Sequence, residues 1–393
     1  MTQRHAEIAG AGFAGLTLGA ALAQRGWSVR IHERSPECRA FGAGIWFWEN
    51  GVRVLSAIGA CDEALDGAVM TPSWRSLDVN GKVIDHFRFG NHETGGRTFC
   101  IVRQTLYQAV YNAALRHGVE IVTSSTAEGA TPEGELLIAG GKRHKADLVV
   151  GADGVNSAVR DSLGLLKRRR IHNDGAIRVV VPLTDDDLAN PDWIRIEERW
   201  SGHRRVLYTP CSRNTLYLCL TSTASDSEAL SVPVPKEVWA RSIPAYAKFI
   251  ERIPDEGRWD RFETVYLHRW SRESVAILGD AAHGMVPGLG QGCGSAVCNA
   301  FSLAVTLDEE ADVAGALQRW EARERALTEH TQFWSWTTWP LTRVPPSVAR
   351  AAFNAPGLRG YIANQRARRS LAIPYGTEDD SRWLPPEMRS AAA

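Results

Sequence analysis

Three short runs in this chain combine small residues with a lone acid in a way that suits phosphate and sugar chemistry. The first is Gly10-Ala11-Gly12-Phe13-Ala14-Gly15, set between an apolar run that ends at Ala9 and a helical pattern over residues 16–25. In such a turn the first glycine allows the reversal and the second lets a pyrophosphate reach the backbone. The third lets helix and strand pack closely. A further strand-like run, residues 27–32, ends in Glu33, at the spacing expected of an acid that accepts ribose hydroxyls. The second run is Gly151-Ala152-Asp153-Gly154, after the apolar residues 146–150. The third is Gly279-Asp280, closing the apolar run 275–278. Behind it the glycine-dense Pro287-Gly288-Leu289-Gly290-Gln291-Gly292 feeds a helical pattern over 295–307. A helix start presents unpaired N–H groups and partial positive charge, so it receives electron-rich groups. Two such turns with complementary chemistry imply one long dinucleotide lying across a domain. The first turn alone does not separate FAD from NAD.

The elements that must position these turns follow from periodicity. A helix is expected over 51–65 and another over 104–117. Residues 74–79 and 83–89 alternate around Asn80-Gly81, a hairpin signal. Strands are expected at 120–122, 136–138 and 146–150. From residue 176 to 267 the pattern changes to antiparallel strands, at 177–181, 193–200, 205–209 and 215–221. Past residue 317 the chain reads as helical, with Trp320, Trp334, Trp336 and Trp339 as packing residues. The fold class is therefore α/β: a Rossmann-type dinucleotide domain with an inserted antiparallel β-sheet and a C-terminal helical region. The expected division gives the dinucleotide domain residues 1–72, 98–175 and 268–330. A hairpin (73–97) and a sheet (176–267) form the substrate side, and residues 331–393 form the helical end.

Composition removes several function classes. Forty-five basic and forty-five acidic residues cancel among 393, leaving no global field for nucleic acid or anionic membrane. The run Lys167-Arg168-Arg169-Arg170 reads as a solvated loop. Seven cysteines without CxxC pairs or His/Cys metal spacing argue against a zinc site or a disulfide framework, so no metal is expected. Cys293 and Cys298 read as small apolar packers. With the fingerprint so near Met1 and no long apolar run, the expectation is a cytoplasmic protein without an obligatory protein partner.

Gly10-x-Gly12-x-x-Gly15, Asp153-Gly154 and Gly279-Asp280, in that order, resemble the single-component FAD-dependent aromatic hydroxylases of the para-hydroxybenzoate hydroxylase fold. Phe41-Gly42-Ala43-Gly44-Ile45, residues 50–55, 205–211 and 216–218, and Asn299-Ala300-Phe301-Ser302-Leu303 are similar to one branch, the oxygenases of 2-methyl-3-hydroxypyridine-5-carboxylate. The resemblance implies FAD as cofactor, NADH or NADPH and O₂ as co-substrates, and oxygen transfer from a flavin C4a-hydroperoxide to an activated ring carbon. It assigns Gly10, Gly12, Phe13, Ala14 and Gly15 to the pyrophosphate turn, Glu33 to the ribose and Arg34 to the adenine side. Ala43 and Gly44 would lie along the flavin, Arg103 near the pyrophosphate and ribityl chain, and Asp153 and Gly154 in a FAD-binding loop. Gly279 and Asp280 would meet the ribityl chain, and Pro287, Gly290, Gln291 and Gly292 would pass under the isoalloxazine.

On the substrate side the resemblance implies that Arg178 and Arg205 hold a carboxylate and that Tyr217 contacts a ring hydroxyl. Trp74 stands where that branch presents a tyrosine, so the ligand differs there. The expected substrate is a hydroxylated aromatic or pyridine-type carboxylic acid, with or without ring opening. A benzenoid hydroxylase without ring cleavage is the alternative. His283 reads as a loop-shaping residue. A partner-acting FAD protein without catalysis remains a separate class, and it would not oxidise NAD(P)H.

Overall fold

The computed structural model describes residues 3–39, 43–337 and 339–378. Phe41-Gly42 of the resemblance above, and residues 379–393 of the expected helical end, lie outside them.

Short, largely buried strands build the first layer. His5–Ala9 pairs in parallel with Ser28–His32 on one side and Leu148–Gly151 on the other. Glu120–Val122 and Val275–Ile277 extend the parallel array, and Ser271–Arg272 closes it antiparallel. Successive residues of the central strands are buried, so both faces are covered. Helices Phe13–Ala23, Arg103–Arg116 and Gly292–Glu309 pack together as one of these covers, and Leu16, Leu22, Val110, Val297 and Leu303 are almost wholly buried with the strands. The predicted helix over 51–65 is two helices, Glu49–Ala57 and Cys61–Leu65, because Gly59 at φ +74° turns the chain between them. The predicted strand at 136–138 joins a separate three-stranded sheet rather than the main one.

A second sheet has seven strands, in the order Trp259–Leu267, Leu166–Pro182, Thr215–Thr223, Arg204–Pro210, Ile196–Ser201, Ser73–Asp78, Val83–Arg88. It is antiparallel except where Ile196–Ser201 meets Ser73–Asp78. Alternation along its strands sorts side chains onto two faces. Ile177, Val179, Leu216, Leu218, Val206 and Tyr208 pack on one face with Trp239 and Phe249 of the short helices Lys236–Ser242 and Ala247–Ile250. Ala176, Tyr217, Cys219 and Leu207 turn the other way and pack with Ala43, Trp46, Cys100 and Val286 of the dinucleotide domain. Gly44 marks how close the layers come, because a Cβ there would sit 2.6 Å from Cys211 Sγ and Tyr217 Cβ.

Two expectations need correction here. Lys167 to Arg170 is not a loop: it lies inside the long strand Leu166–Pro182, which also crosses the boundary expected at 175/176. Consecutive basic residues hid a strand whose alternate side chains face different surroundings. The strand expected at 193–200 begins only at Ile196, since Asn190 and Pro191 start a 3₁₀ turn, Pro191–Ile194.

After the third nucleotide turn and helix Gly292–Glu309 the chain forms helix Val313–Thr337, a 3₁₀ segment Trp339–Arg343, and helices Pro346–Phe353 and Arg359–Ala367. Trp320 locks the first of these onto helix Gly292–Glu309. It is fully buried, donates from Nε1 to the Asn299 carbonyl at 2.9 Å, and meets the Trp270 ring at 5.5 Å. Trp339 is also buried, whereas Trp334 and Trp336 are half-buried. Trp320→Ala should cost about 3–5 kcal/mol. A thermal or urea transition shifted by less than a third of that would mean that the helix docks through other contacts.

Candidate active site

The three turns follow the adjacent strands His5–Ala9, Leu148–Gly151 and Val275–Ile277 and meet at the carboxyl end of the parallel sheet. Gly10, at φ +101°, lies so close to the second turn that a Cβ on it would come within 2.4 Å of the Ala152 carbonyl oxygen. A Cβ on Gly279 would stand 2.9 Å from the Ala14 Cβ, so the third turn touches the first. A Cβ on Gly15 would be 2.1 Å from the Gly10 carbonyl oxygen. Packing therefore requires glycine at all three positions. Gly12 is different: a Cβ there meets no protein atom within 4 Å, and the residue is exposed at φ −80°. Nothing in the protein itself demands a glycine there, as expected where a ligand approaches the backbone.

The helix starts around this crevice are bare. Phe13–Ala23 and Gly292–Glu309 both begin without a side-chain cap and without an acid in the first turn. Their first N–H groups thus remain available to a ligand. Several buried polar atoms nearby also have no protein partner: Arg103 Nε, Asp153 Oδ1, both amide atoms of Gln291, and Ser295 Oγ. Buried polar groups are nearly always hydrogen-bonded, so a row of orphans at helix starts fits a large polar ligand.

Glu33 accepts from the Ala11 N–H at 3.0 Å and the Ser35 N–H at 2.9 Å, which aims its carboxylate at the first turn. Arg34 is exposed beyond it. Ala43 accepts from the Arg103 N–H at 3.1 Å, bringing the Ala43-Gly44 strand start beside that arginine. Arg103 lies 5.0 Å over the Phe13 ring. Asp153 accepts from the Val159 N–H at 3.3 Å, and Gly154 turns the chain at φ +82°. Burial raises the Asp153 carboxyl above its ordinary value, against several hydrogen bonds that lower it. Asp280 remains accessible to water from the crevice, yet protein surrounds it closely enough that burial raises its carboxyl. The charge of Arg103 works in the opposite direction. Pro287–Leu289 forms a 3₁₀ turn and Gly290 follows at φ +62°, against the Trp46 ring.

His283 is buried. Its Nε2 accepts from Asn299 Nδ2 at 3.1 Å, and burial, with the charge of Arg369, pushes its pKa down to about 3. It stays neutral at working pH and shapes the loop.

Trp74, Arg178, Arg205 and Tyr217 share the sheet face turned toward this crevice, but their environments differ. Arg205 is almost fully buried, 3.4 Å from Glu198 Oε1 and 4.1 Å over the Trp339 ring. Its charge is compensated, so it is not a free carboxylate clamp. Arg178 lies 5.5 Å over Phe262 and next to Tyr217, with no carboxylate at ion-pairing distance among the described residues. Burial opposes the Arg178 charge, but Tyr217, Cys219 and Asp260 raise its pKa overall. Burial likewise drives the Tyr217 phenol well above its ordinary value, with Arg178 pulling it down. Trp74 meets Trp46 at 6.2 Å, and its buried Nε1 has no partner. Sequence reasoning missed Trp46, which donates to Thr209 Oγ1 at 3.0 Å and packs on Gly290. No local pattern marks it, because both contacts are distant in the chain.

The profile of the FAD binding domain family matches residues 4–331. A probable 2-heptyl-3-hydroxy-4(1H)-quinolone synthase of Rhodococcus erythropolis is 40% identical, over 95% of this chain and 98% of that protein. The structure of a tetrameric 2-methyl-3-hydroxypyridine-5-carboxylic acid oxygenase superposes with a TM-score of 0.86. It is 38% identical, and the match covers 95% of this chain and 98% of that one. A 6-hydroxynicotinate 3-monooxygenase of Bordetella bronchiseptica is 27% identical, over 86% of this chain and 92% of its own length.

Substituting the two glycines should separate folding from binding. Gly12→Ala should leave the apoprotein's thermal transition unchanged but strip FAD, whereas Gly10→Ala should damage the fold. Full FAD occupancy in Gly12→Ala would place the phosphates elsewhere. Asp280→Ala should weaken FAD binding by roughly 1.5–3 kcal/mol through lost charge-assisted contacts. Titration of FAD into the apoprotein measures it, and an unchanged dissociation constant would remove Asp280 from the site.

Proposed function

Because this chain belongs to the FAD-dependent aromatic monooxygenases of the FAD binding domain family, we propose that it hydroxylates an N-heteroaromatic ring bearing an oxygen substituent, with NADH or NADPH as reductant. Within that class the reading favours a ring that bears an apolar substituent and no carboxylate, of the 2-alkyl-4-quinolone type, over a carboxylic acid. One observation carries it: Arg205, one of two arginines on the substrate face, is already neutralised by Glu198 and stacked on Trp339. Beyond those groups, the wall is formed by Trp46, Trp74, Phe262 and three cysteines, Cys100, Cys211 and Cys219. A carboxylate entering that wall would lose its hydration with Arg178 alone on this face to answer its charge.

Bound FAD supplies the transfer of two electrons from NAD(P)H to O₂, with one oxygen atom going to the ring and the other leaving as water. In this reading Gly12, Glu33, Arg103 and Asp280 hold the cofactor. The start of helix Gly292–Glu309 favours negative charge that develops beside it. Arg178 and Tyr217 hold the ring oxygen. A cation and a phenol O–H facing that atom favour its anionic form, and a ring carrying an oxyanion donates electron density to the carbon that is oxygenated. The aromatic wall keeps water from the reacting atoms.

A second reading, a hydroxypyridine carboxylic acid opened after oxygenation, is favoured by the 38% identity to the pyridine-ring oxygenase. Arg178 would then meet the carboxylate.

The purified holoprotein, supplied with NADH or NADPH, should consume O₂ and form a hydroxylated product from a 2-alkyl-4-quinolone with little H₂O₂. Turnover of only the hydroxypyridine acid would move the assignment to the second reading, and uncoupled oxidation with both would overturn the ring class. Glu198→Gln, which exposes the charge of Arg205, should shift preference toward the acid.

A further inference from the structure

The basic run that seemed a solvated loop lines a pocket of its own. Arg168, Arg170 and His172 alternate along strand Leu166–Pro182 and share one side of it, where with Tyr266 and Trp336 they bound a cavity of about 260 Å³. Arg169, between them, points elsewhere and pairs with Glu263 and Asn156. Both cavity arginines are exposed and lean on aromatic rings rather than on acids: Arg170 is 5.2 Å over Trp336 and Arg168 is 5.9 Å over Tyr266. The nearby carboxylates are already engaged, Asp174 by Arg343, Glu329 by Arg325 and Glu263 by Arg169. The positive field is strong enough to act on its neighbour. Burial first, then the charges of Arg170, Arg343 and Arg168, push the His172 pKa down to about 4, against Asp174.

We propose that this pocket docks the reduced pyridine dinucleotide, Arg168 and Arg170 meeting its phosphates and Trp336 or Tyr266 stacking on a base. Two guanidinium groups at strand spacing suit a pyrophosphate, and the flat rings suit a planar heterocycle. The volume holds one end of a dinucleotide and leaves the rest in solvent, as suits a reductant that must leave after each turnover. One element connects the pocket to the flavin loop. Helix Val313–Thr337 carries Trp336, and Gln332 of the same helix donates to the Gly284 carbonyl at 3.1 Å. A Cβ on Gly288 would stand 2.5 Å from the Ser335 carbonyl oxygen. The docking surface is thus the back of the helix on which residues 284–290 rest.

The inference rests on NAD(P)H being the reductant, so the test separates the two. Calorimetry on the oxidised holoprotein with the non-reducing tetrahydro forms of NADH and NADPH gives the affinity for each, and the better ligand identifies the source of electrons. The double variant Arg168→Ala/Arg170→Ala should lose affinity about tenfold or more while keeping its FAD content and its affinity for the ring substrate. Trp336→Phe should retain binding. Unchanged dinucleotide affinity in the double variant, with NAD(P)H still oxidised by the unaltered protein, would overturn the docking site alone. Loss of ring-substrate affinity instead would make the pocket a substrate entrance and overturn it equally. Failure of the unaltered protein to oxidise either dinucleotide would overturn the reductant itself.

Discussion

The site depends on helix starts that the protein leaves unsatisfied. A side-chain cap at a helix N-terminus is typically worth about 1 kcal/mol, and neither Phe13–Ala23 nor Gly292–Glu309 has one. Both lack an acid in the first turn as well, although the helix dipole would reward one. The surrounding packing then keeps these bare donors near one another. Gly10 lies against Ala152, and Gly279 against Ala14, at distances that allow no side chain. Burial of the parallel strands on both faces holds that arrangement rigid, so the donors are in place before any ligand arrives. Preorganisation of this kind converts local instability of the empty fold into affinity for an electron-rich cofactor.

What was legible in the sequence was what is local in the chain. Gly10 to Gly15 with Glu33, Asp153-Gly154 and Gly279-Asp280 are each turns of a few residues, so their spacing announces their geometry. The hairpin around Asn80-Gly81 was legible for the same reason, and the structure has Gly81 at φ +81° in that turn. What remained hidden is set by distant partners. Trp46 is defined by Thr209 and Gly290, and Arg205 by Glu198 and Trp339. Lys167 to Arg170 has the composition of a solvated loop, yet pairing with residues 264–267 makes it a strand. Residue type predicts solvation there, but pairing decides the conformation.

The two faces of the seven-stranded sheet divide stability from specificity. The face holding Ile177, Val179, Leu216 and Leu218 is covered by its own short helices and needs nothing from the rest of the molecule. The face holding Trp74, Arg178, Arg205 and Tyr217 is covered by the dinucleotide domain, at the separation marked by Gly44 against Tyr217, and by Trp339 and Arg366 of the C-terminal region. Change on that second face can alter the ligand without disturbing the core behind it. On it, the Trp74 indole packs near Trp46 and Arg366.

Arg178 shows what such a face asks of its ligand. A half-buried guanidinium without an acid partner is costly unless something else answers its charge. Tyr217 and the Phe262 ring answer part of it. A ligand oxygen that carries negative charge would answer the rest. A remote carboxylate could do this, but it would stabilise the bound substrate and the transition state equally. A ring oxygen held in the same place does more, because the cation favours its ionised form and ionisation raises electron density at the carbon to be oxygenated. Interactions coupled to the reacting centre in this way lower the barrier rather than only the dissociation constant. With Arg205 already paired, Arg178 is the cation on this face best placed for that coupling.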